Sequence, residues 1–282
     1  MVVEAPEHLS PSSIGSFRTC PLAWRLDYLE RLERVGSLDA SIGTFVHAVA
    51  ERLCNLPAEE RTLDAARAAA TAAWSLHVDD DEWRALAVDT AEIPGVKRRA
   101  WKAVQRWFAL EDPREIDVTG TELWVRGEVE GVALRGIVDR LDATADGGLT
   151  VTDYKTGQKP GVAYQDDRLL GVWIYAILLG QEPPVEGRRV TAVRHLYLGQ
   201  RAGEVVRSVT PEALASATEV VVATARSISG CCETGEFEAT PSVLCDWCSF
   251  KPSCPAHGGD LDALLATAPR RPPKPETTTL AV

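Results

Sequence analysis

Two aspartates and a lysine near the middle of the chain have the residue types that phosphodiester hydrolysis needs. Asp139 precedes a predicted turn, and Asp153 and Lys155 follow it. Carboxylate oxygens bind hard cations such as Mg2+ or Mn2+, which polarise a phosphate and activate a water molecule. A lysine beside them can orient that water or stabilise charge on the phosphoryl oxygens. The same residues could also form ordinary salt bridges on a solvated sheet, since the D-x-K spacing often arises by chance.

The spacing of apolar residues predicts the strands that must position these side chains. From Thr121 onwards apolar and polar residues alternate with a period of two, which indicates strands. The pattern predicts strands over Val132–Ala143 and Leu149–Lys155, with a glycine-containing turn between them. Helices are predicted at 41–53, 63–73, 96–110, 168–179 and 211–227, and further strands at 190–198 and 204–209.

The length of the turn decides whether the acidic residues meet. Asp139 and Asp153 lie at equal distances from Asp146, so an odd-numbered loop places the two aspartates opposite each other. Lys155 then shares their face, because side chains alternate along a strand. A two-residue loop would instead pair Asp139 with Tyr154 and separate the group.

The residues of this hairpin resemble the core motif of RecB-like PD-(D/E)XK nucleases. The matching segments are Gly136-Ile137-Val138-Asp139-Arg140-Leu141-Asp142 and Asp153-Tyr154-Lys155-Thr156-Gly157. His47, in a Gly-Thr-x-x-His context, is similar to the histidine on the first core helix that completes the metal site of that branch. The resemblance implies metal ligation by His47, Asp139, Asp153 and the backbone carbonyl of Tyr154, and catalysis by Lys155, Asp139 and Asp153.

The resemblance also suggests residues that contact the substrate. Members of this branch often carry Gln-x-x-x-Tyr on the helix after the hairpin. Tyr175 matches the tyrosine, whereas Gly171 occupies the glutamine position, which affects how a DNA strand is held. Glu122 resembles an acidic residue often found on the first strand, although an exposed charge on an edge strand is an equal interpretation.

The charge of the chain opposes nucleic-acid binding. The net charge is −11, whereas DNA-binding proteins usually present a basic face. Bound divalent cations and local arginines would be needed to offset it. Arg140 is the candidate substrate contact, with Arg126 and Arg135 nearby in the sequence.

Four cysteines form a second candidate ligand set. Cys245, Cys248 and Cys254 lie within ten residues, and a CxxC turn directs two sulfurs towards one metal atom or cluster. Cys20, near the other end of the chain, is the best candidate for a fourth ligand. Cys54 is expected to be a buried thiol. The adjacent pair Cys231-Cys232 is expected to lie outside the ligand set.

This cysteine layout resembles the iron–sulfur subset of the same nuclease branch, which includes AddB and the CRISPR-associated adaptation nucleases. The resemblance implies a structural 4Fe–4S cluster that joins the N-terminal helix to the C-terminal segment. Zinc accepts the same four thiolates and is the alternative. The residues Leu9-Ser10-Pro11-Ser12-Ser13 ahead of Cys20 are also similar to the start of that family.

The expected fold is α/β: a restriction-endonuclease-like core with a mixed central sheet flanked by helices. A single nuclease domain is predicted over 1–266, with a helical insertion at 58–111, a cysteine-rich cluster segment at 231–257 and a disordered tail at 267–282. Met1–Pro11 has no signal-peptide pattern and no apolar run is long enough to span a membrane, so a cytoplasmic location is expected. Cysteines in that compartment stay reduced, which favours ligands over disulfides.

The predicted function is a metal-dependent DNA nuclease of the RecB family, acting as a single-strand exonuclease in repair or recombination with Mg2+ or Mn2+. One alternative is a catalytically weak iron–sulfur DNA-binding module in a repair or CRISPR adaptation complex, which Gly171 and the acidic charge favour. Another is a zinc-stapled structural protein in which the D-x-K residues are incidental. The sequence does not identify a protein partner.

Overall fold

The structure of the protein is a computed structural model that describes residues 3–34, 36–183 and 187–272. The helices are α1 (Pro11–Thr19), α2 (Pro21–Trp24), α3 (Leu38–Cys54), α4 (Leu63–His77), α5 (Asp81–Ala85), α6 (Ile93–Leu110), α7 (Gln165–Arg168), α8 (Leu170–Gln181), α9 (Pro211–Thr234) and α10 (Leu261–Thr267). The strands are β1 (Asp117–Val129), β2 (Val132–Ala143), β3 (Leu149–Lys155), β4 (Val190–Tyr197) and β5 (Gly203–Ser208). None of these helices is long and apolar enough to cross a membrane.

The five strands form one mixed sheet in the order β1-β2-β3-β4-β5. Strand β3 pairs antiparallel with β2 and parallel with β4, and β4 pairs antiparallel with β5. The prediction of an α/β fold with a mixed sheet is therefore confirmed. The predicted bounds of β2 and β3 agree with the structure, whereas β1 begins at Asp117, before the predicted start.

The turn between β2 and β3 has the odd-numbered register. Arg140 pairs with Thr152 and Leu141 pairs with Val151, so continuing the ladder places Asp139 opposite Asp153. Within the turn, the Thr144 N–H donates to the carbonyl of Gly148. The two-residue loop that would have separated the acidic residues is therefore excluded.

One compact unit comprises the described residues within Gly36–Val125 and Ile137–Leu214 and contains most of the sheet. On one sheet face, Tyr154, Leu196 and Leu198 are buried with the apolar sides of α3, α4 and α6. Helix α8 packs against β3 and β4. Helix α3 begins after Ser37, whose hydroxyl accepts a hydrogen bond from the Ala40 N–H and so caps the first turn.

The second compact unit comprises the described residues within Met1–Val35, Arg126–Gly136 and Ala215–Val282. Trp24 is fully buried at its centre, where its ring stacks on Phe237 and meets the edge of Phe17. The Trp24 indole N–H donates to the hydroxyl of Ser13, which satisfies the one polar atom of this side chain. The N-terminal and C-terminal segments thus share one core.

The chain remains ordered beyond the predicted start of its tail. Thr267 is the last residue of α10, and Arg270 forms an isolated bridge with Leu32. The Arg271 guanidinium is ion-paired with the buried Asp27 carboxylate. Composition suggested a disordered tail from 267, but these contacts contradict that prediction as far as 272. Residues 273–282 lie outside the described residues.

Candidate active site

Three side chains from three different elements converge at one end of the β1–β2–β3 region. His47 comes from α3, Glu122 from β1 and Asp139 from β2, and their ligand atoms lie within 4.8 Å of one another. The backbone of Glu122 has a φ of 46°, in the left-handed region that a non-glycine residue rarely adopts within a strand. This unusual backbone conformation lies within β1, at the residue whose carboxylate joins His47 and Asp139.

The Asp139 carboxylate is held by two neighbours. The Tyr154 backbone N–H donates to Asp139 Oδ2 at 2.8 Å, and His47 Nδ1 lies 3.5 Å from the same oxygen. His47 Nε2 is 3.0 Å from the backbone carbonyl of Tyr154. Burial lowers the pKa of His47, but the Asp139 carboxylate outweighs that effect and the pKa rises to about 9. A protonated His47 can therefore donate to the Tyr154 carbonyl and form an ion pair with Asp139.

Negative charge is concentrated at this point. Burial, followed by the charge of Asp139, raises the pKa of Glu122 to about 7. Burial also raises the pKa of Asp139, but the hydrogen bond and charge of His47 outweigh it and the net direction is downward. A cation placed among these groups would relieve the repulsion between the two carboxylates.

Lys155 and Asp153 form the next layer of the site. Lys155 Nζ lies 2.6 Å from Asp153 Oδ2, and both side chains project from the same face of β3. Burial raises the pKa of Asp153 to about 6, although the Lys155 ammonium acts in the opposite direction. Asp153 is not one of the three converging residues, and its Oδ2 contacts Lys155.

His195 is a buried member of this region that the sequence analysis missed. It pairs with Asp153 in the parallel β3–β4 ladder, and its Nε2 lies 3.8 Å from Asp153 Oδ2. Its Nδ1 is 3.2 Å from the Tyr197 hydroxyl. Burial is the main reason that the pKa of His195 falls to about 3, which makes the ring neutral. The parallel pairing that brings it here has no local sequence signal.

Tyr175 lies close to the acidic residues, whereas Gly171 supplies no side chain. The Tyr175 phenol is hydrogen-bonded to the backbone of Ile137. Burial and then the charges of Asp153 and Asp139 raise the pKa of this phenol above its ordinary value, as expected for a ring beside carboxylates. Gly171 lies in the first turn of α8.

The structure contradicts the prediction that Arg140 contacts substrate. Its side chain is fully buried and forms ion pairs with Glu111 at 2.8 Å and Asp142 at 2.7 Å. Its guanidinium also donates to the Tyr154 hydroxyl at 2.5 Å. The physical reason is strand alternation: Arg140 follows Asp139 directly, so the two side chains occupy opposite faces of β2.

The converging residues fit a hard divalent cation. Two carboxylates supply oxygen ligands of the kind that Mg2+ and Mn2+ prefer, and a neutral imidazole is an accepted ligand for transition metals. His47 and Asp139 belong to the set predicted from the sequence, and Glu122 joins them. The Tyr154 carbonyl, also in the predicted set, is adjacent through its contact with His47.

The four cysteines of the second ligand set line one cavity. Cys20, Cys245, Cys248 and Cys254 surround a space of about 80 Å³ whose walls are largely apolar. Two of the sulfurs accept backbone hydrogen bonds: Cys20 from Thr240 at 3.5 Å, and Cys245 from Ser242 at 3.3 Å.

The other cysteines lie elsewhere. Cys54 is buried on α3, and its sulfur is 3.9 Å from the Tyr154 hydroxyl. Cys231 and Cys232 lie on α9 and do not line the cavity. All seven cysteines are unpaired by disulfides.

One family model and two phage proteins match this chain. A family model described as "PD-(D/E)XK nuclease superfamily" matches residues 8–255. The "Gene 69 protein" of Mycobacterium phage D29 is 27% identical over 272 residues, covering 87% of this chain and 96% of the phage protein. The "Gene 69 protein" of Mycobacterium phage L5 is 29% identical over 130 residues, covering 45% of this chain and 41% of its own length.

A solved structure shares the fold. It is described as "Putative exonuclease" from Eubacterium rectale and aligns with a TM-score of 0.53 at 15% sequence identity. The alignment covers 86% of this chain and 87% of the other. At that identity the likeness concerns the fold alone.

Proposed function

Because this chain belongs to the PD-(D/E)XK nuclease superfamily, we propose that it is a RecB-like exonuclease that degrades single-stranded DNA from an end. The family supports a phosphodiester-cleaving nuclease with a DNA substrate and a divalent cation such as Mg2+ or Mn2+. The observation that carries the proposal is the convergence of His47, Glu122 and Asp139 beside the Lys155–Asp153 pair.

The residues have separable roles in this proposal. His47, Glu122 and Asp139 hold the cation, which supplies Lewis-acid polarisation of a phosphate oxygen. Lys155 orients the attacking water or stabilises charge that develops on the phosphoryl group. Asp153 fixes the Lys155 ammonium at 2.6 Å and is available as a further ligand. In the metal-loaded site, His47 must release its proton to bind, because a metal ligand uses the neutral imidazole.

The exonuclease part of the proposal rests on analogy. The Eubacterium rectale protein with the same fold is described as "Putative exonuclease", and the hairpin motif resembles the RecB-like branch. Tyr175 lies near the acidic residues, where a phenol could contact the strand. We propose a role in DNA repair or recombination on the same resemblance.

We further propose that Cys20, Cys245, Cys248 and Cys254 hold a structural 4Fe–4S cluster. All four thiols line one cavity, which supports a shared group. A zinc ion held by the same four thiolates is the alternative occupant.

We propose that residues 1–266 act as a single nuclease domain and that 231–257 is its cluster segment. The stretch 58–111 contains α4, α5 and α6, in keeping with the proposed helical insertion.

The test is degradation of end-labelled single-stranded DNA with Mn2+, using protein purified anaerobically. Wild type should release labelled nucleotides, whereas Lys155→Ala should lose activity by several orders of magnitude and still bind Mn2+. Lys102→Ala, which removes an exposed lysine from α6, is the matched control and should keep full activity. A circular single strand should resist cleavage if digestion starts at an end.

Other outcomes would count against the proposal. Cleavage of the circle would show an endonuclease and overturn the exonuclease assignment. Absence of cleavage by a folded, iron-containing wild type would favour the alternative, a catalytically weak iron–sulfur DNA-binding module, with the missing side chain at Gly171 as the first suspect.

A further inference from the structure

A segment with an exposed tyrosine follows the proposed catalytic lysine in the chain. Residues 157–168 connect β3 to α8, and we refer to them as the connecting segment. Within this segment Val162 is 81% exposed and Tyr164 is 65% exposed. Both side chains are therefore accessible to a ligand.

The connecting segment is held beside the active site by backbone hydrogen bonds. The Leu198 N–H donates to the Lys155 carbonyl at 2.7 Å, and the Gly199 N–H donates to the Gly157 carbonyl at 3.0 Å. The Lys159 N–H then donates to the carbonyl of Arg201 at 3.1 Å. The segment therefore extends the β3–β4 pairing beyond Lys155.

Tyr164 and Arg168 lie at the two ends of one short helix. Tyr164 is the residue that precedes α7, Arg168 is the last residue of α7, and both side chains are exposed. Burial raises the pKa of the Tyr197 phenol, while the charges of Lys155 and Arg168 both lower it. Arg168 is thus close to the same side chain as the proposed catalytic lysine.

The positive charges of Lys159 and Arg168 are available to bind a ligand. No ion pair among the described residues involves Arg168 or Lys159. The nearby Asp166 is neutralised by Arg207, whose guanidinium lies 2.8 Å from the carboxylate. Asp167 is adjacent to Arg168 in the helix and so projects in a different direction. Lys159 and Arg168 are therefore cations without an ion-pair partner among the described residues, in a segment that also carries Asp166 and Asp167.

We propose that the connecting segment binds the single-stranded DNA substrate, with Tyr164 stacking on an unpaired base and Arg168 contacting a phosphate. This inference rests on the proposed nuclease function and names the strand-binding element of that same site. A single strand is the occupant because its bases expose their faces, whereas the bases of a duplex are stacked on one another. An aromatic ring next to cations is the combination that proteins use to bind such strands.

The test measures binding separately from cleavage. Lys155→Ala protein would be titrated into a fluorescein-labelled oligothymidine, and anisotropy would give the dissociation constant. Adding Tyr164→Ala should weaken binding by roughly tenfold or more, the range found when a stacking aromatic is truncated. Tyr164→Phe should restore it, because stacking needs the ring and not the hydroxyl.

The contribution of Arg168 is measured through the salt dependence of the binding affinity. Arg168→Gln should reduce the slope of log affinity against log salt concentration by about 0.7, the value for one phosphate contact with a single strand. Leu76→Ala, which truncates a 63%-exposed side chain on α4, and Arg98→Gln on α6 are the matched controls and should change neither quantity. Binding to a blunt duplex should be insensitive to Tyr164→Ala.

The outcomes separate this inference from the proposed function. If wild type cleaves single strands but Tyr164→Ala and Arg168→Gln bind them normally, the connecting segment is not the strand-binding element and the nuclease assignment stands. If wild type neither binds nor cleaves single strands, both proposals fail. An equal loss of affinity in Tyr164→Ala and Tyr164→Phe would also overturn the stacking role.

Discussion

The Tyr154 backbone N–H donates to Asp139 at 2.8 Å, while the Tyr154 hydroxyl accepts from Arg140 at 2.5 Å on the opposite face of the sheet. One residue therefore links the proposed metal site to a buried ionic network. The Glu111 carboxylate, 2.8 Å from Arg140 Nη1, also pairs with Arg194 at 2.6 Å. Side chains that never contact substrate can in this way fix the position of an active-site backbone.

Replacement of Arg140 by methionine should destabilise the fold strongly. It would leave Asp142 buried without its cation and Glu111 paired with Arg194 alone, and removing one member of a buried pair costs about 3–5 kcal/mol. Urea denaturation should show a corresponding fall in the free energy of unfolding. The control is Arg114→Gln, which breaks an exposed pair with Asp112 and should change stability little. Equal stability of Arg140→Met and wild type would show that the network is not required.

Replacement of a glycine near Lys155 by alanine should destabilise the protein at Gly199 and leave its stability unchanged at Gly157. A Cβ at Gly199 would lie 2.3 Å from the backbone oxygen of Gly157, so the strand ends must separate to accept it. Overpacking of this kind costs about 1–3 kcal/mol, and the displacement should also lower nuclease activity. A Cβ at Gly157 meets nothing within 4 Å, and Gly157→Ala should keep wild-type stability. Thermal unfolding of the two variants checks this; a tolerated Gly199→Ala would refute it.

Much of the β2–β3 hairpin could be predicted from sequence because its signals are local. The period of two and the spacing of Asp139 and Asp153 about Asp146 depend only on neighbouring residues. The burial of Arg140 was also implied by that alternation, since it must face away from Asp139. The prediction that Arg140 contacts substrate was based on its charge and did not consider its position in the strand.

Other features of the site depend on contacts distant in sequence. Glu122 joins His47 and Asp139 where the β1 backbone takes a φ of 46°, and no sequence pattern announces such a break. His195 reaches Asp153 through parallel pairing, whose register is determined by the crossover helix packing and not by a turn.

Removal of either acidic member of the proposed metal group should weaken Mn2+ binding. Glu122→Gln and Asp139→Asn each remove a charged ligand. Loss of a residue that only supports a ligand typically lowers metal affinity by about 10–100-fold, and we expect a larger fall in Mn2+ affinity here. Electron paramagnetic resonance of free Mn2+ would report this without relying on activity. Glu51→Gln is the matched control, because its charge acts on Glu122 but it is not one of the three converging residues. Unchanged binding in Asp139→Asn would contradict the assignment.

Substitution of a cavity cysteine should remove the proposed cluster and loosen the fold around it. Cys248 packs with Leu22, Leu26 and Phe250, and burial raises the pKa of its thiol, so a bound metal would have to displace the thiol proton. Cys248→Ser should lose most of the iron and the absorbance near ~400 nm. It should also melt at a lower temperature than wild type.

The control for that experiment is Cys231→Ser, which removes a thiol of the same unit that does not line the cavity and should leave the iron content unchanged. Iron would be measured by colorimetric assay and zinc by mass spectrometry on anaerobically purified protein. Stoichiometric zinc with no visible absorbance in wild type would replace the cluster with a zinc site. Equal metal loss in both cysteine variants would show that the four-thiol assignment is wrong.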